Sequence, residues 1–159
     1  MKTSLLVSAA LAGLVLAACG TNDLTGPSNT GVTGVRATTS FGMCLGYCRS
    51  ALEITADHVV YRLFDDRTHM PPLERIAPIS AAEWQSLASA VSREKVQALP
   101  AVIGCPDCAD GGAESIEVLA RDWTHAVTFG FRTDVPQLQP LLDRVRTVRD
   151  EQDGKLRPR

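Results

Sequence analysis

Residues 51–64 read ALEITADHVVYRLF, and this stretch decides the fold class. From Ala51 to Ala56 apolar and polar side chains alternate, with Leu52 and Ile54 on one face and Glu53 and Thr55 on the other. Residues 59–64, Val-Val-Tyr-Arg-Leu-Phe, are β-branched, aromatic and apolar apart from Arg62. Both runs read as strands, joined at Asp57-His58 as a two-residue hairpin turn. Asp tolerates the left-handed backbone that such a turn requires, and His58 reads as a turn residue more readily than as a ligand.

Going outward toward the C-terminus, a loop over residues 65–72 leads to a short strand near Leu73–Ile76. Ile79-Ser-Ala-Ala-Glu-Trp84 then carries a capping box. Ser80 accepts from the third helical amide and Glu83 reaches back to the cap, while Ile79 and Trp84 stand where a hydrophobic staple places them. Trp84, Leu87, Ala88 and Val91 line one helical face, and Ser92 starts a further short helix, REKVQAL, that stops at Pro100. After a loop over residues 103–113 the pattern recurs. Ser115–Ala120 and Thr124–Phe131 form a second hairpin, with Ile116 and Val118 sharing one face and Val127, Phe129 and Phe131 another. Leu138, Leu141, Leu142, Val145 and Val148 define an amphipathic helix. Pro140 is tolerated only in a first turn, which places the start near Gln137 or Leu138. Two hairpin-then-helix halves predict an α+β fold: a small antiparallel sheet with helices packed on one face.

The N-terminus has a different character. Residues 1–19 read MKTSLLVSAALAGLVLAAC, with Lys2 ahead of a run from Leu5 to Ala18 broken only by Ser8 and Gly13. Fourteen helical residues would reach about 21 Å, short of the roughly 30 Å of a hydrocarbon core. A positive start, a short apolar run and a small-residue end are the parts of a secretory signal peptide. Its end, Leu16-Ala17-Ala18-Cys19, resembles the lipobox of bacterial lipoprotein precursors. That resemblance implies cleavage before Cys19, a diacylglycerol on the Cys19 sulfur and further acylation of the new amino terminus. Two or more acyl chains make membrane attachment stable where one does not. The lipid on Cys19 is the only covalent group expected, and no cofactor is. Gly20, where an Asp would retain a lipoprotein at the inner membrane, favours the outer membrane of a two-membrane envelope.

Four segments follow: a lipoprotein signal peptide over 1–18, lipidated Cys19 with a flexible tether over 19–39, one globular domain over 40–150, and a frayed tail over 151–159. The tether reads GTNDLTGPSNTGVTGVRATT from Gly20, too poor in bulky apolar groups to offset its ordering entropy. The whole chain has 16 basic and 18 acidic residues, a formal charge of −2, and losing Lys2 with the signal makes it −3. Nucleic-acid binders are distinctly basic, so no nucleic acid is expected among the partners.

Cys44, Cys48, Cys105 and Cys108 remain once Cys19 is assigned to lipid. Export puts them in an oxidising compartment, where two structural disulfides are the simplest reading. Pro106 suits the second position of a turn over Cys105-Pro106-Asp107-Cys108, which brings the outer Cα atoms within bridging distance. Cys44 and Cys48 can meet only if Leu45-Gly46-Tyr47 turns, which Gly46 permits. Local pairing, 44 with 48 and 105 with 108, is preferred over the crossed arrangements. Two alternatives stay open. All four thiolates could hold a structural zinc ion, since both spacings resemble zinc knuckles. Cys105 and Cys108 could instead form a thiol–disulfide redox pair, although Ala109-Asp110-Gly111-Gly112 is a poor helix start and Asp107 and Asp110 would raise a nearby thiol pKa.

Residues 40–47, Ser-Phe-Gly-Met-Cys-Leu-Gly-Tyr, and the hairpin after them resemble a family of small uncharacterised bacterial envelope proteins. Their domain opens with Cys-Phe-Gly-x-Cys-Pro-x-Tyr, a strand, an Asp-Gly turn and a second strand. Phe41, Gly42, Cys44, Tyr47 and the turn residue Asp57 match. Ser40, Leu45 and His58 depart from the pattern, and Cys48 and the 105–108 pair are additional, so that family's own bridge does not carry over. The resemblance implies no activity.

No catalytic constellation stands out. His58, His69 and His125 share no metal-ligand spacing, and phosphate-cradling and nucleophile-elbow motifs do not occur. Asp107, Asp110, Glu114 and Glu117 do not follow the alternating oxygens of a calcium loop. The expectation is a non-catalytic, membrane-tethered module of the cell envelope, braced by two disulfides, that binds an envelope protein or a cell-wall ligand. The loops around Tyr47, Met70 and Cys105–Gly112 offer a recognition surface.

Overall fold

Val59, Tyr61 and Leu63 are each at most 4 % exposed on one face, while His58, Arg62 and Phe64 on the other are only partly covered and Val60 among them is buried at 7 %. This alternation is the expected strand, seen in a computed structural model that describes residues 31–65, 68 and 70–157. In chain order the elements are β1 (Val32–Ser40), β2 (Arg49–Thr55), β3 (His58–Phe64), β4 (Leu73–Pro78), α1 (Ala81–Ser89), α2 (Arg93–Gln97), β5 (Ala113–Ala120), β6 (Thr124–Gly130) and α3 (Gln139–Leu156). The six strands form one antiparallel sheet in the order β4-β3-β2-β1-β5-β6. Leu52, Ile54, Val59, Tyr61, Ile116, Val118, Val127 and Phe129 share a core with Trp84 and Leu87 of α1 and Leu141, Leu142 and Val145 of α3. The helices therefore cover one face, as the α+β reading requires.

The two hairpin-then-helix halves are present, and β1 joins them. Residues 32–39 were expected to belong to the tether. They form instead the strand that pairs with β2 on one side and β5 on the other. Val35 and Ala37 are buried on the helix side, where they face Ile54 and Val118, and Leu52 and Ile116, in the neighbouring strands. Hydroxyls tie both flanks: Thr39 and Ser50 share a buried hydrogen bond of 2.7 Å, and Thr38 and Ser115 share one of 2.6 Å on the open face. Small inward residues suit a central strand lying under large neighbours, which is why the segment looked too poor in apolar bulk.

The tail is also corrected. α3 continues to Leu156, past the expected domain end at 150. Its last turns are held by polar contacts. Gln152 is buried and accepts from Arg75 Nε at 2.9 Å, and Asp153 accepts from Tyr61 Oη at 2.7 Å. Burial and the Asp153 hydrogen bond hold the Tyr61 phenol far above its ordinary pKa, so it stays a donor. α3 starts at Gln139 with Pro140 in its first turn, close to the expected start.

The first hairpin turn is Ala56-Asp57, one residue earlier than the expected Asp57-His58. Ile54 pairs with Val59, so the register differs by two residues from the one that an Asp57-His58 turn would set. A two-residue slip leaves every side chain on its own face, so the hydrophobic pattern could not distinguish the two. Thr55 decides it: its hydroxyl accepts from the amides of Asp57 at 3.4 Å and His58 at 3.3 Å. The α1 cap is as expected, with Ser80 and Glu83 forming both halves of the capping box.

Candidate functional site

Sheet registry places four connections at one pole of the molecule. Ser40, the last residue of β1, pairs with Arg49, the first of β2, and with Ala113, the first of β5. Arg49 also pairs with Phe64 at the end of β3, and Ala113 with Gly130 at the end of β6. The connections over residues 41–48, 65–72, 104–112 and 131–138 therefore gather there. The pole contains both cysteine pairs.

Cys44 is bridged to Cys48 and Cys105 to Cys108, with Cα atoms 5.7 Å and 5.5 Å apart. This is the local pairing the sequence favoured. Gly46 makes the first turn possible with φ +84°. With each pair closed upon itself, the four sulfurs offer no shared thiolate set for zinc, and no other metal-binding group occurs among the described residues. No α-helix begins at Cys105; residues 108–110 form a single 3-10 turn, with Asp107, Ala109 and Asp110 at positive φ. The helix dipole that activates a redox cysteine is thus missing from this loop.

Asp107 connects the two bridged loops. Its carboxylate accepts from the amide of Gly42 at 3.4 Å and from that of Gly112 at 3.1 Å. The Phe41 ring lies against Gly112, at φ +81°, where a Cβ would run into it, and meets Phe131 edge to face at 4.7 Å. On the other flank Tyr47 Oη donates to Pro71 O at 2.9 Å, and the Arg157 guanidinium lies 3.4 Å from Tyr47 O. Asp65 accepts from the amides of Thr68 at 2.8 Å and Met70 at 3.4 Å. Tyr47, Met70 and the Cys105–Gly112 loop, singled out in the sequence, thus stand at one pole.

Beneath the pole lies a buried ion cluster that the sequence did not reveal. Glu114 is 0 % exposed and receives Arg149 Nη1 at 2.6 Å, Arg146 Nη2 at 2.8 Å and the amide of Arg132 at 3.2 Å. Charge-assisted bonds of this kind are the stronger ones in proteins. Arg149 also faces the Phe131 ring at 5.5 Å, so the cluster backs the aromatic pair that supports the bridged loops. The sequence signal was Arg146 and Arg149 at helical spacing i, i+3, which puts both on one side of α3.

The other candidates fall elsewhere. His58 Nδ1 is 3.3 Å from Thr55 Oγ1 within its turn, and His125 Nε2 is 3.0 Å from Leu99 O. Glu117 pairs with Arg36 on the open face, away from buried Glu114. His69, Cys19 and the signal segment lie outside the described residues. Among the described residues, no helix is long and apolar enough to cross a membrane.

The pole also carries exposed apolar side chains. Leu45 is 80 % exposed, Met43 72 % and Met70 39 %, beside the solvent-facing Cys105 and Cys108. Leu45, inside the covalently closed 44–48 loop, is presented without the ordering cost of a flexible segment. Comparison with protein-family models and with curated proteins gave no match.

Proposed function

We propose that this chain is a bacterial lipoprotein, anchored in the cell envelope through lipid on Cys19, at the outer membrane of a two-membrane host, and that its domain is a non-catalytic module binding an envelope protein through the bridged pole. The carrying observation is that Leu45, inside the Cys44–Cys48 loop, and Met43 just ahead of it are exposed where Asp107 ties this loop to the Cys105–Cys108 loop, with Met70 exposed on the 65–72 connection. The direction of β1 supports the same reading. The tether enters at Val32 and the bridged loops begin after Ser40, about 30 Å away at roughly 3.3 Å for each of nine residues. The bridged pole thus stands at the end of β1 opposite the tether attachment.

Two variants test the two halves of this reading. Cys19→Ser is expected to abolish incorporation of labelled palmitate into the protein; label retained in Cys19→Ser would exclude the anchor at Cys19. For the pole, a photo-crosslinking residue at position 45 is expected to capture a discrete partner in growing cells, and one at the exposed turn residue Asp57 is not. Burying a Leu-sized side chain contributes about 1.5–3 kcal/mol. Adding Met43→Asp should accordingly weaken capture at position 45 by about tenfold or more. Equal capture at position 57, or capture at 45 indifferent to Met43→Asp, would contradict the proposal. Thiol–disulfide exchange at Cys105 and Cys108, which their exposure favours, would show instead as a partner released by reductant alone.

A further inference from the structure

The two bridges of the pole are built on different backbone. The Cys44–Cys48 loop turns at Gly46, where a positive φ meets no Cβ, and both of its cysteines are partly covered. The Cys105–Cys108 segment takes its shape through Asp107, Ala109 and Asp110, at φ of 60°, 53° and 59°, and both of its cysteines face solvent. Aspartate tolerates the left-handed region, whereas alanine brings a Cβ and no hydrogen-bonding side chain to offset the crowding. Ala109 and Asp110 are exposed, so packing does not hold them there. The segment is held by its bridge, by the contacts of Asp107, and by backbone bonds from Cys108 N to Cys105 O at 3.3 Å and Gly111 N to Cys108 O at 3.2 Å. Backbone of this kind persists only where its surroundings fix it, and solvent-facing or strained disulfides are the more readily reduced ones.

We propose that the Cys105–Cys108 bond is a redox-sensitive site, opened by a dithiol reductant while Cys44–Cys48 stays closed, and that its opening loosens the tie between the two loops. One thiolate of the dithiol attacks an exposed sulfur, breaking the 105–108 bond and forming a mixed disulfide, which the second thiol resolves. Two electrons pass to the pair, the dithiol leaves as a disulfide, and its two protons end on Cys105 and Cys108. As the target of such a reductant the pair needs no lowered thiol pKa, and Asp107 and Asp110 disfavour a thiolate at either sulfur. Asp107 stands inside the closed ring, and its carboxylate accepts from the amides of Gly42 at 3.4 Å and Gly112 at 3.1 Å. Once the ring opens, Ala109 and Asp110 leave the left-handed region and the carboxylate loses its fixed position. Gly42 immediately precedes exposed Met43, so the change reaches the surface assigned above to partner binding. That last consequence rests on the binding reading.

The test equilibrates the full chain, isolated from membranes into detergent micelles, with graded ratios of reduced to oxidised dithiothreitol. Acid quench, alkylation and peptide mass mapping then follow each bridge separately. Cys105–Cys108 should be half reduced at a ratio about tenfold below the one Cys44–Cys48 requires. Glycine meets no steric penalty at the φ of residue 109, so Ala109→Gly should raise the ratio for 105–108 about threefold. In isotope-labelled protein the amide signal of Gly42, sixty-five residues from Asp107, should move as 105–108 opens and return on reoxidation. Cys105→Ser with Cys108→Ser should reproduce the reduced position of that signal. The proposal is overturned if the two bridges open together or 44–48 opens first, if Ala109→Gly leaves the ratio unchanged or lowers it, or if the Gly42 amide does not move. These readouts need no partner. If they hold while position 45 captures nothing, the binding reading fails and the switch stands; if they fail while position 45 still captures its partner, the switch alone is lost.

Discussion

A chain that begins at Ser40 is expected to be unfolded, whereas one that begins at Thr30 should unfold cooperatively with the stability of the mature protein. The difference is β1. Removing it exposes Leu52, Ile54, Ile116 and Val118 along their flanks and leaves two small sheets, β4-β3-β2 and β5-β6, that no ladder connects. It also removes Val35 and Ala37 from the core and leaves the buried Ser50 hydroxyl without Thr39. Domains of this size have about 5–15 kcal/mol of total stability, and loss of a central strand exceeds that range. Circular dichroism with urea titration of both truncations decides the matter. A cooperative transition at an unchanged midpoint for the shorter chain would mean that β1 is dispensable.

The second large effect is expected at Glu114. Glu114→Leu is close in volume but leaves Arg149 and Arg146 buried without their common anion, with side chains 5 % and 11 % exposed. Breaking a buried ion pair by removing one partner costs about 3–5 kcal/mol. Arg149 keeps Asp150 at 3.3 Å and the Phe131 ring at 5.5 Å, and Arg146 keeps Thr133 O at 2.8 Å, which compensate in part. Replacing all three as Glu114→Leu, Arg146→Met and Arg149→Met should recover much of the loss, because no uncompensated charge remains. Urea midpoints for the single and triple variants measure both values. A loss below about 1 kcal/mol for Glu114→Leu would mean that water reaches the cluster and replaces the carboxylate.

What could be read from the sequence follows from which contacts are local. The hairpins from Ala51 to Phe64 and from Ser115 to Phe131 are pairings of near neighbours, and their alternation is complete within a few residues. The Ser80–Glu83 cap and the two bridges span three or four residues each. β1 pairs with β5 about eighty residues away, with Arg36 opposite Glu117, and its inward side chains are small because large ones already stand on both sides. Its alternation of Val35, Ala37 and Thr39 with Arg36 and Thr38 was present but faint beside the Gly- and Thr-rich segment before it. The end of α3 was hidden for a related reason. Gln152 and Asp153 look like solvated tail residues until Arg75 and Tyr61 are known to face them.

The candidate site divides in the same way. Pairing within each cysteine couple was legible because only a turn is needed to close it. The joining of the two bridged loops was not, since it depends on Asp107 reaching Gly42, sixty-five residues earlier in the chain. Glu114 read as one of four neighbouring acids, whereas strand alternation turns it inward and Glu117 outward. Apolar exposure at Met43 and Leu45 could not be told from burial, because so short a connection carries no periodicity. For Leu45 its meaning depends on the closed 44–48 loop that holds the side chain out.

The most direct test is mass spectrometry of the protein isolated from membranes, alkylated under denaturing conditions before and after reduction. The predicted result is no free thiol before reduction, linked fragments joining Cys44 to Cys48 and Cys105 to Cys108, and acyl mass on an N-terminal Cys19. Four alkylated cysteines before reduction, together with an intact unacylated chain starting at Met1, would contradict both the braced pole and the anchor.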